Sequence, residues 1–249
     1  MNVIQEEAWL LRDKYAGVRS PAYDFDLERL RRGEPLAYII GWTPFLDTKI
    51  YLDSYPLIPR PETEYWTALA IAEIKKHSNP LILDLCAGSG AIGVAVLEAV
   101  PMAQVDFCEI DLRLHATIVK NICDNGIDYA RTRIFHGDLF EKIPTGTQYD
   151  FILSNPPYID PALDRAETSV KKYEPHLALY GGVAGMEIIK RIITEAPQYL
   201  APNGALWIEH EPEQVPALTA LAQSHFANVT TLNDQFGVPR FSILKMPSE

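Results

Sequence analysis

Cysteine is scarce in this chain, and so is positive charge. The three cysteines, Cys86, Cys108 and Cys123, are odd in number, widely separated and without a C-x-x-C pair, which argues against a disulfide framework or a zinc site. They are expected as reduced thiols in or near the core, and no metal is expected. Lysine and arginine total 22 against 33 aspartates and glutamates, a formal net charge of -11. The bulk composition therefore lacks the basic stripe that displaces counterions from duplex phosphates, and nucleic acid is an unfavoured partner. No apolar run approaches membrane-spanning length. The amino end, Met1-Asn2-Val3-Ile4-Gln5-Glu6-Glu7, is acidic where a signal or transit peptide is basic, so a cytoplasmic protein is expected. Repeats and low-complexity segments are absent as well. What remains is 249 residues with 47% hydrophobic and 22% charged content, enough for one sizeable α/β domain with a small extra segment.

The chain is organised around residues 149–158, Tyr149-Asp150-Phe151-Ile152-Leu153-Ser154-Asn155-Pro156-Pro157-Tyr158. The apolar run fits a short buried strand. Two prolines stop it, because proline supplies no backbone N–H and pushes the residue before it toward extended geometry. The Asn155 carboxamide oxygen and the neighbouring carbonyls are then acceptors at the carboxyl end of a strand, where open α/β sheets bind ligands. Acceptors converging on one NH2 group suit methylation of a planar amide or aromatic amine, whose delocalised lone pair must be aimed while its hydrogens are held. Taken alone, Asn-Pro-Pro-Tyr also fits an ordinary turn.

Residues 1 to 16 are expected as a helix with a loose stripe of Val3, Ile4, Trp9, Leu10 and Leu11, followed by a short helix around 26–32 closed by Gly33 and Pro35. Together, 1–33 form a small helical segment. Residues 34–60 read as a β-hairpin linker. Pro59-Arg60-Pro61-Glu62-Thr63-Glu64 starts a helix over 63–77 that buries Trp66, Leu69, Ala70 and Ile74. Arg60, Glu62 and Glu64 also fit solvated charges at a helix start.

Residues 81–125 hold a second informative unit. Leu81 to Leu85 is a short strand, Cys86-Ala87-Gly88-Ser89-Gly90 a small-residue turn, and Ala91 to Val100 a helix. Small side chains let a ligand approach the loop, and the helix start offers unpaired N–H groups. A second strand, 104–108, ends in Glu109, placed to hold ribose hydroxyls of an adenosine. With Gly93 as a third glycine, a nicotinamide dinucleotide stays open. Asp84 at the end of the first strand instead suits the cationic end of S-adenosylmethionine and would repel a pyrophosphate. A helix over 112–125 and a third strand over 131–135 lead to Asp138, a candidate acceptor for the adenine amino group, while His136 reads as structural. The polar loop from Ile159 to about Tyr180 reads as a lid or substrate-binding segment. A helix over 186–200, a turn at Pro202-Asn203-Gly204, a strand over 205–209, a helix over 214–226 and strands over 229–232 and 240–245 complete the chain. The alternation predicts a three-layer, mostly parallel sheet finished by an antiparallel pair.

Leu57-Ile58-Pro59-Arg60-Pro61-Glu62-Thr63-Glu64, Asp84 to Gly90 and Asn155 to Tyr158, with Glu174-Pro175 and Gly181-Gly182 beyond them, resemble the HemK/PrmC family of protein-(glutamine-N5) methyltransferases from residue 34 to about 245. The resemblance implies a class I SAM-dependent methyltransferase domain over 61–249, with a Rossmann-like, mostly parallel seven-stranded sheet. It implies methyl transfer from S-adenosyl-L-methionine to the glutamine of the Gly-Gly-Gln motif in a peptide chain release factor. Carried over by position, Asp84, Cys86, Ala87, Gly88, Ser89, Gly90 and Asn155 line the cofactor, Glu109 meets the ribose, and Asp138 with Leu139 meets the adenine. Asn155, Pro156 and Tyr158 are the catalytic set, and Pro157 and Arg60 join them in binding substrate. The sequence departs from the family at Cys86, which replaces the loop's first glycine, and in its short helical segment. Two other readings are an amino-methyltransferase acting on adenine or cytosine and a non-catalytic SAM-binding module.

Overall fold

The computed structural model describes residues 3–163 and 167–247. Residues 1, 2, 164–166, 248 and 249, which the expected first helix, the loop and the domain end include, lie outside the described residues. The amino-terminal helices are α1 (Val3–Asp13) and α2 (Pro21–Arg31). The second starts earlier than its sequence signal because Ser20 caps it, accepting the Tyr23 N–H at 3.2 Å, with Pro21 in the first turn. Leu10, Tyr23, Leu30 and Ile39 form a separate small core beneath them. Asp26 is buried there between Lys14 at 2.5 Å and Arg29 at 2.7 Å.

The linker is only partly a hairpin. Leu36–Ile40 forms a short helix, α3, before β1 (Trp42–Phe45) and β2 (Thr48–Tyr51) pair antiparallel. Gly41 closes α3 at φ +93°, a conformation that favours glycine. Helix α4 (Pro61–Ile74) buries Trp66, Ala70 and Ile74 as expected, but Leu69 is 39% exposed. The reason is angular: at 3.6 residues per turn the buried Trp66, Ala70, Ile74, Thr67 and Ile71 fan out to one side of Trp66, and Leu69 lies about 60° to its other side, past the edge of the buried face.

A seven-stranded sheet follows: β3 (Leu81–Leu85), β4 (Gln104–Glu109), β5 (Thr132–His136), β6 (Tyr149–Ser154), β7 (Leu200–Glu209), β8 (Asn228–Asn233) and β9 (Pro239–Lys245). Its spatial order is β5-β4-β3-β6-β7-β9-β8, with β9 antiparallel to both neighbours and the rest parallel. The expected turn at Pro202-Asn203-Gly204 lies inside β7 as a register shift opposite β6, with Asn203 at φ +64°. Helices α5 (Ala91–Ala99), α6 (Leu112–Asp124), α8 (Glu187–Glu195) and α9 (Val215–Ala222) sandwich the sheet. Two apolar cores result, one holding Trp66, Phe107 and Phe241, the other Tyr149, Ile189 and Ile208. The segment after β6 also contains α7 (Thr168–Tyr173). Among the described residues, no helix is long and apolar enough to cross a membrane.

Candidate active site

Sheet order places the site. From β3 the chain runs outward through β4 and β5, then returns to lay β6 on the other side of β3 and continues through β7. That reversal opens a crevice at the carboxyl ends of β3 and β6. Leu85 pairs with Ser154 as the last register partners, so the loop starting at Cys86 and the turn starting at Asn155 emerge side by side. On the other flank Cys108 pairs with Leu85 and Glu109 with His136, which brings Glu109 and then Gly137-Asp138-Leu139 to the same edge.

A cavity of about 1100 Å³, counted out to its open mouth, fills this crevice and is lined by Cys86, Ala87, Gly88, Ser89, Glu109, Asp138, Leu139, Asn155 and Pro157, among others. Cys86, Gly88 and Gly90 all lie in the left-handed region, at φ +62°, +56° and +79°, so the loop coils tightly and Cys86 occupies a conformation glycine takes more readily. Among the described residues, nothing stands within 4 Å of where a Gly88 Cβ would be, leaving the loop open to a ligand. Gly93 works by close packing: a Cβ there would lie 2.4 Å from Phe107. Buried Glu109 accepts the Gly88 N–H and the Asp111 N–H, both at 2.8 Å. Each of its oxygens retains further accepting capacity. Asp138 sits on the rim, its carboxylate bridged by Arg191 at 2.9 and 3.0 Å. Asn121, which no sequence motif marked, is wholly buried and ties the Ser89 carbonyl to Tyr51 of β2.

Asp84 is fully buried beneath the loop rather than on the cavity lining. Its Oδ2 accepts the Gly93 N–H at 2.9 Å, and its Oδ1 has no partner among the described residues. Burial pushes its carboxyl up to about 8. Because the folded value is raised, the folded chain holds this proton more tightly than the unfolded one. Stability from neutral Asp84 is complete below about pH 4 and is lost as pH rises to about 8. Asp84→Asn should therefore match wild type in denaturant unfolding at acidic pH and become more stable than it by on the order of 5 kcal/mol near pH 9. Parallel curves for the two proteins from pH 5 to 9 would refute the assignment.

The cysteines separate sharply. Burial, then the Glu109 and Cys108 charges, hold the Cys86 thiol far above its ordinary value, and burial raises Cys108 to about 12. Cys123 is exposed, against the expectation of a core or near-core thiol. It sits near the end of α6, whose buried stripe runs through Leu114, Ile118 and Ile122. Thiolate is the reacting form, so iodoacetamide at pH 8 should modify Cys123 first. Mass spectrometry showing faster labelling of Cys86 would contradict this geometry.

A second cavity of about 530 Å³ adjoins the first and is lined by Leu57, Arg60, Asn155, Pro156, Tyr158, Ile159, Val170, Ala178 and Leu179. Leu57, Asn155 and Ala178 line both. Asn155 thus stands where the two spaces meet. Its Nδ2 donates to Thr63 Oγ1 at 3.0 Å. Arg60 is not the solvated helix-start charge its position allows; it pairs at 2.6 Å with Glu174, whose side chain is buried. Glu174 also accepts the Ile58 N–H at 3.1 Å, strapping the segment after β6 to the entrance of α4. Glu64 likewise turns back, accepting the Leu46 N–H at 2.6 Å. The glycine run after that segment packs backbone on backbone: a Cβ at Gly181 would lie 2.4 Å from the Pro157 carbonyl.

A model of the methyltransferase small domain matches residues 62–172. The chain is 35% identical over 243 residues to the release factor glutamine methyltransferase of Bordetella pertussis, covering 96% of this chain and 88% of that one. The chain belongs to the release factor glutamine methyltransferase family. Solved structures share its fold at low identity. A methyltransferase from Pyrococcus furiosus superposes with a TM-score of 0.59 at 15% identity, covering 89% of this chain and 98% of that one. A T. thermophilus 16S rRNA methyltransferase, solved with AdoMet and guanosine, gives 0.57 at 18% identity, covering 84% and 50%. These establish a class I SAM-dependent methyltransferase fold. Of the two cavities, the larger lies over the glycine loop and the smaller behind Asn-Pro-Pro-Tyr.

Proposed function

We propose that this chain transfers a methyl group from S-adenosyl-L-methionine to the side-chain amide nitrogen of a glutamine in a peptide chain release factor, the glutamine of its Gly-Gly-Gln motif. The observation that carries this reading is Asn155 at the junction of the cavity over the glycine loop and the cavity behind Asn-Pro-Pro-Tyr. The fit to the cofactor rests on the open loop at Gly88, on Glu109 with spare accepting capacity toward ribose hydroxyls, and on Asp138 and Leu139 at the adenine end. Asp84 lies buried beneath the loop with its Oδ1 unpartnered among the described residues, an acceptor whose charged form a bound cation would favour. When bound, the cofactor supplies an electrophilic methyl on a sulfonium.

The substrate amide enters by the smaller cavity, past Arg60 and Leu57. Asn155 Oδ1 and the Pro156 carbonyl accept its two hydrogens, which orients the nitrogen lone pair toward the methyl group. With the cofactor bound, this nitrogen would take its methyl group as the bond to sulfur breaks, and would then release a proton to solvent. No base is required. Tyr158 is unsuited to be one, because burial and the Glu209 charge hold its phenol far above the ordinary range. It serves instead as a wall, and Pro157 shapes the turn.

The test is incubation with methyl-labelled S-adenosyl-L-methionine and purified release factors, beside a factor whose Gly-Gly-Gln glutamine is alanine. Label on the intact factor alone supports both reaction and target. Label on DNA or RNA, with none on protein, overturns the reading.

A further inference from the structure

The Asn155 carboxamide is useful in only one of its two orientations. If the oxygen faces the cavities it accepts a substrate NH2. Rotated by half a turn, it presents NH2 to NH2. Resting on the reading above that Asn155 accepts from the substrate amide, we infer that Glu209, acting through Thr63, sets this orientation and is a positioning residue for the reaction.

Glu209 ends β7 and is 1% exposed. Three donors converge on it. Thr63 Oγ1 and Trp66 Nε1, both on α4, donate to Oε2 at 2.7 Å, and the Tyr158 hydroxyl donates to Oε1 at 2.8 Å. Each has one hydrogen, and the indole N–H can only donate. A carboxylate only accepts, so the single Thr63 hydroxyl hydrogen is committed to Glu209. Toward Asn155 the Thr63 oxygen can then only accept. Asn155 must turn its NH2 to Thr63, as the 3.0 Å contact has it. Its oxygen is left on the opposite side, for the substrate. The direction of one hydroxyl thus passes from a buried carboxylate to the reacting amide. The same carboxylate anchors the far end of the Asn-Pro-Pro-Tyr turn through Tyr158.

Substitutions separate this relay from simple packing. Glu209→Gln retains an oxygen that Trp66 forces toward α4, so Thr63 keeps its acceptor. Glu209→Met removes it, and the freed Thr63 hydrogen turns to Asn155 Oδ1 and holds the carboxamide the wrong way round. Glu209→Met should lower kcat about 100-fold, the scale of losing one aligned hydrogen bond to a reacting group, with cofactor affinity changed by less than about threefold. Glu209→Gln should rescue most of that loss. Thr63→Val leaves Asn155 without orientation and should cost about tenfold in kcat, restored by Thr63→Ser.

The decisive result is the double variant. Adding Thr63→Val to Glu209→Met removes the misdirecting hydrogen and should raise kcat above that of Glu209→Met alone. Losses that add, or equal kcat for Thr63→Val and Thr63→Ser, overturn the relay. Should Glu209→Met fail to fold, the Thr63 pair still decides. A substrate-free readout separates this inference from the function it rests on. The Asn155 side-chain NH2 resonances should report a hydrogen bond in wild type, Glu209→Gln and Thr63→Ser, and its loss in Thr63→Val. Unchanged resonances in Thr63→Val refute the relay. Absence of label on any release factor with wild-type enzyme refutes the function instead.

Discussion

Asn155→Ala should lower kcat for methyl transfer by about 10²–10³-fold while the protein still binds S-adenosyl-L-methionine. Asn155 touches both cavities, but the two contacts differ in kind. Toward the larger cavity it is one residue among many, beside Cys86, Ala87, Gly88, Ser89, Glu109 and Asp138. Toward the smaller one, in the proposed reaction, its side-chain oxygen accepts from the substrate amide. An interaction that aims the nitrogen as it attacks is lost from the transition state, so kcat falls with kcat/KM. Calorimetry with cofactor and single-turnover kinetics with labelled methyl measure the two properties separately. Turnover equal to wild type would remove Asn155 from the chemistry. Lost cofactor binding with normal single-turnover chemistry would make it a cofactor residue only.

Gly185→Ala should destabilise the protein by about 2–4 kcal/mol, and methyl transfer should fall with it. Gly185 has φ +66°, and a Cβ there would stand 1.8 Å from the Tyr158 carbonyl oxygen and 2.4 Å from Gln214 Nε2. Neither neighbour can yield easily. Gln214 Nε2 donates to the Tyr158 carbonyl at 2.8 Å and to the Ala184 carbonyl at 3.0 Å, clamping the Asn-Pro-Pro-Tyr turn to the glycine run. The added methyl must therefore move the turn that carries Asn155. For a chain of this size the expected fall in Tm is roughly 4–16 °C. Gly146→Ala is the control, with φ +86° and nothing within 4 Å of its Cβ position. It shares the backbone strain and lacks the collision. Equal losses in the two variants would show that conformation alone, and not the contact with Tyr158, accounts for Gly185.

Much of this protein is determined by local sequence. The strand, tight loop and helix over 81–99, the acid at the end of β4 and the proline stop after β6 are each written in residues adjacent along the chain. Short-range physics produces them: apolar runs that need burial, small residues where a ligand comes close, and prolines that cannot continue a ladder. The antiparallel finish of the sheet follows the order of the final elements in the same way.

Partnerships across long separations were decided only in the tertiary structure. Arg60 has the appearance of a solvated charge until folding brings Glu174 to it. Gly181 and Gly185 are unremarkable in a loop and obligatory against Pro157 and Tyr158. Leu69 is as apolar as its neighbours and still faces out. Glu209 carries no local signal, since an acid at a strand end is common, and its meaning comes from donors that the chain delivers from residues 63, 66 and 158. The physical reason is the same in each case. A hydrogen bond or a collision depends on which surfaces the sheet order brings together, and the value of a buried charge depends on the donors waiting there.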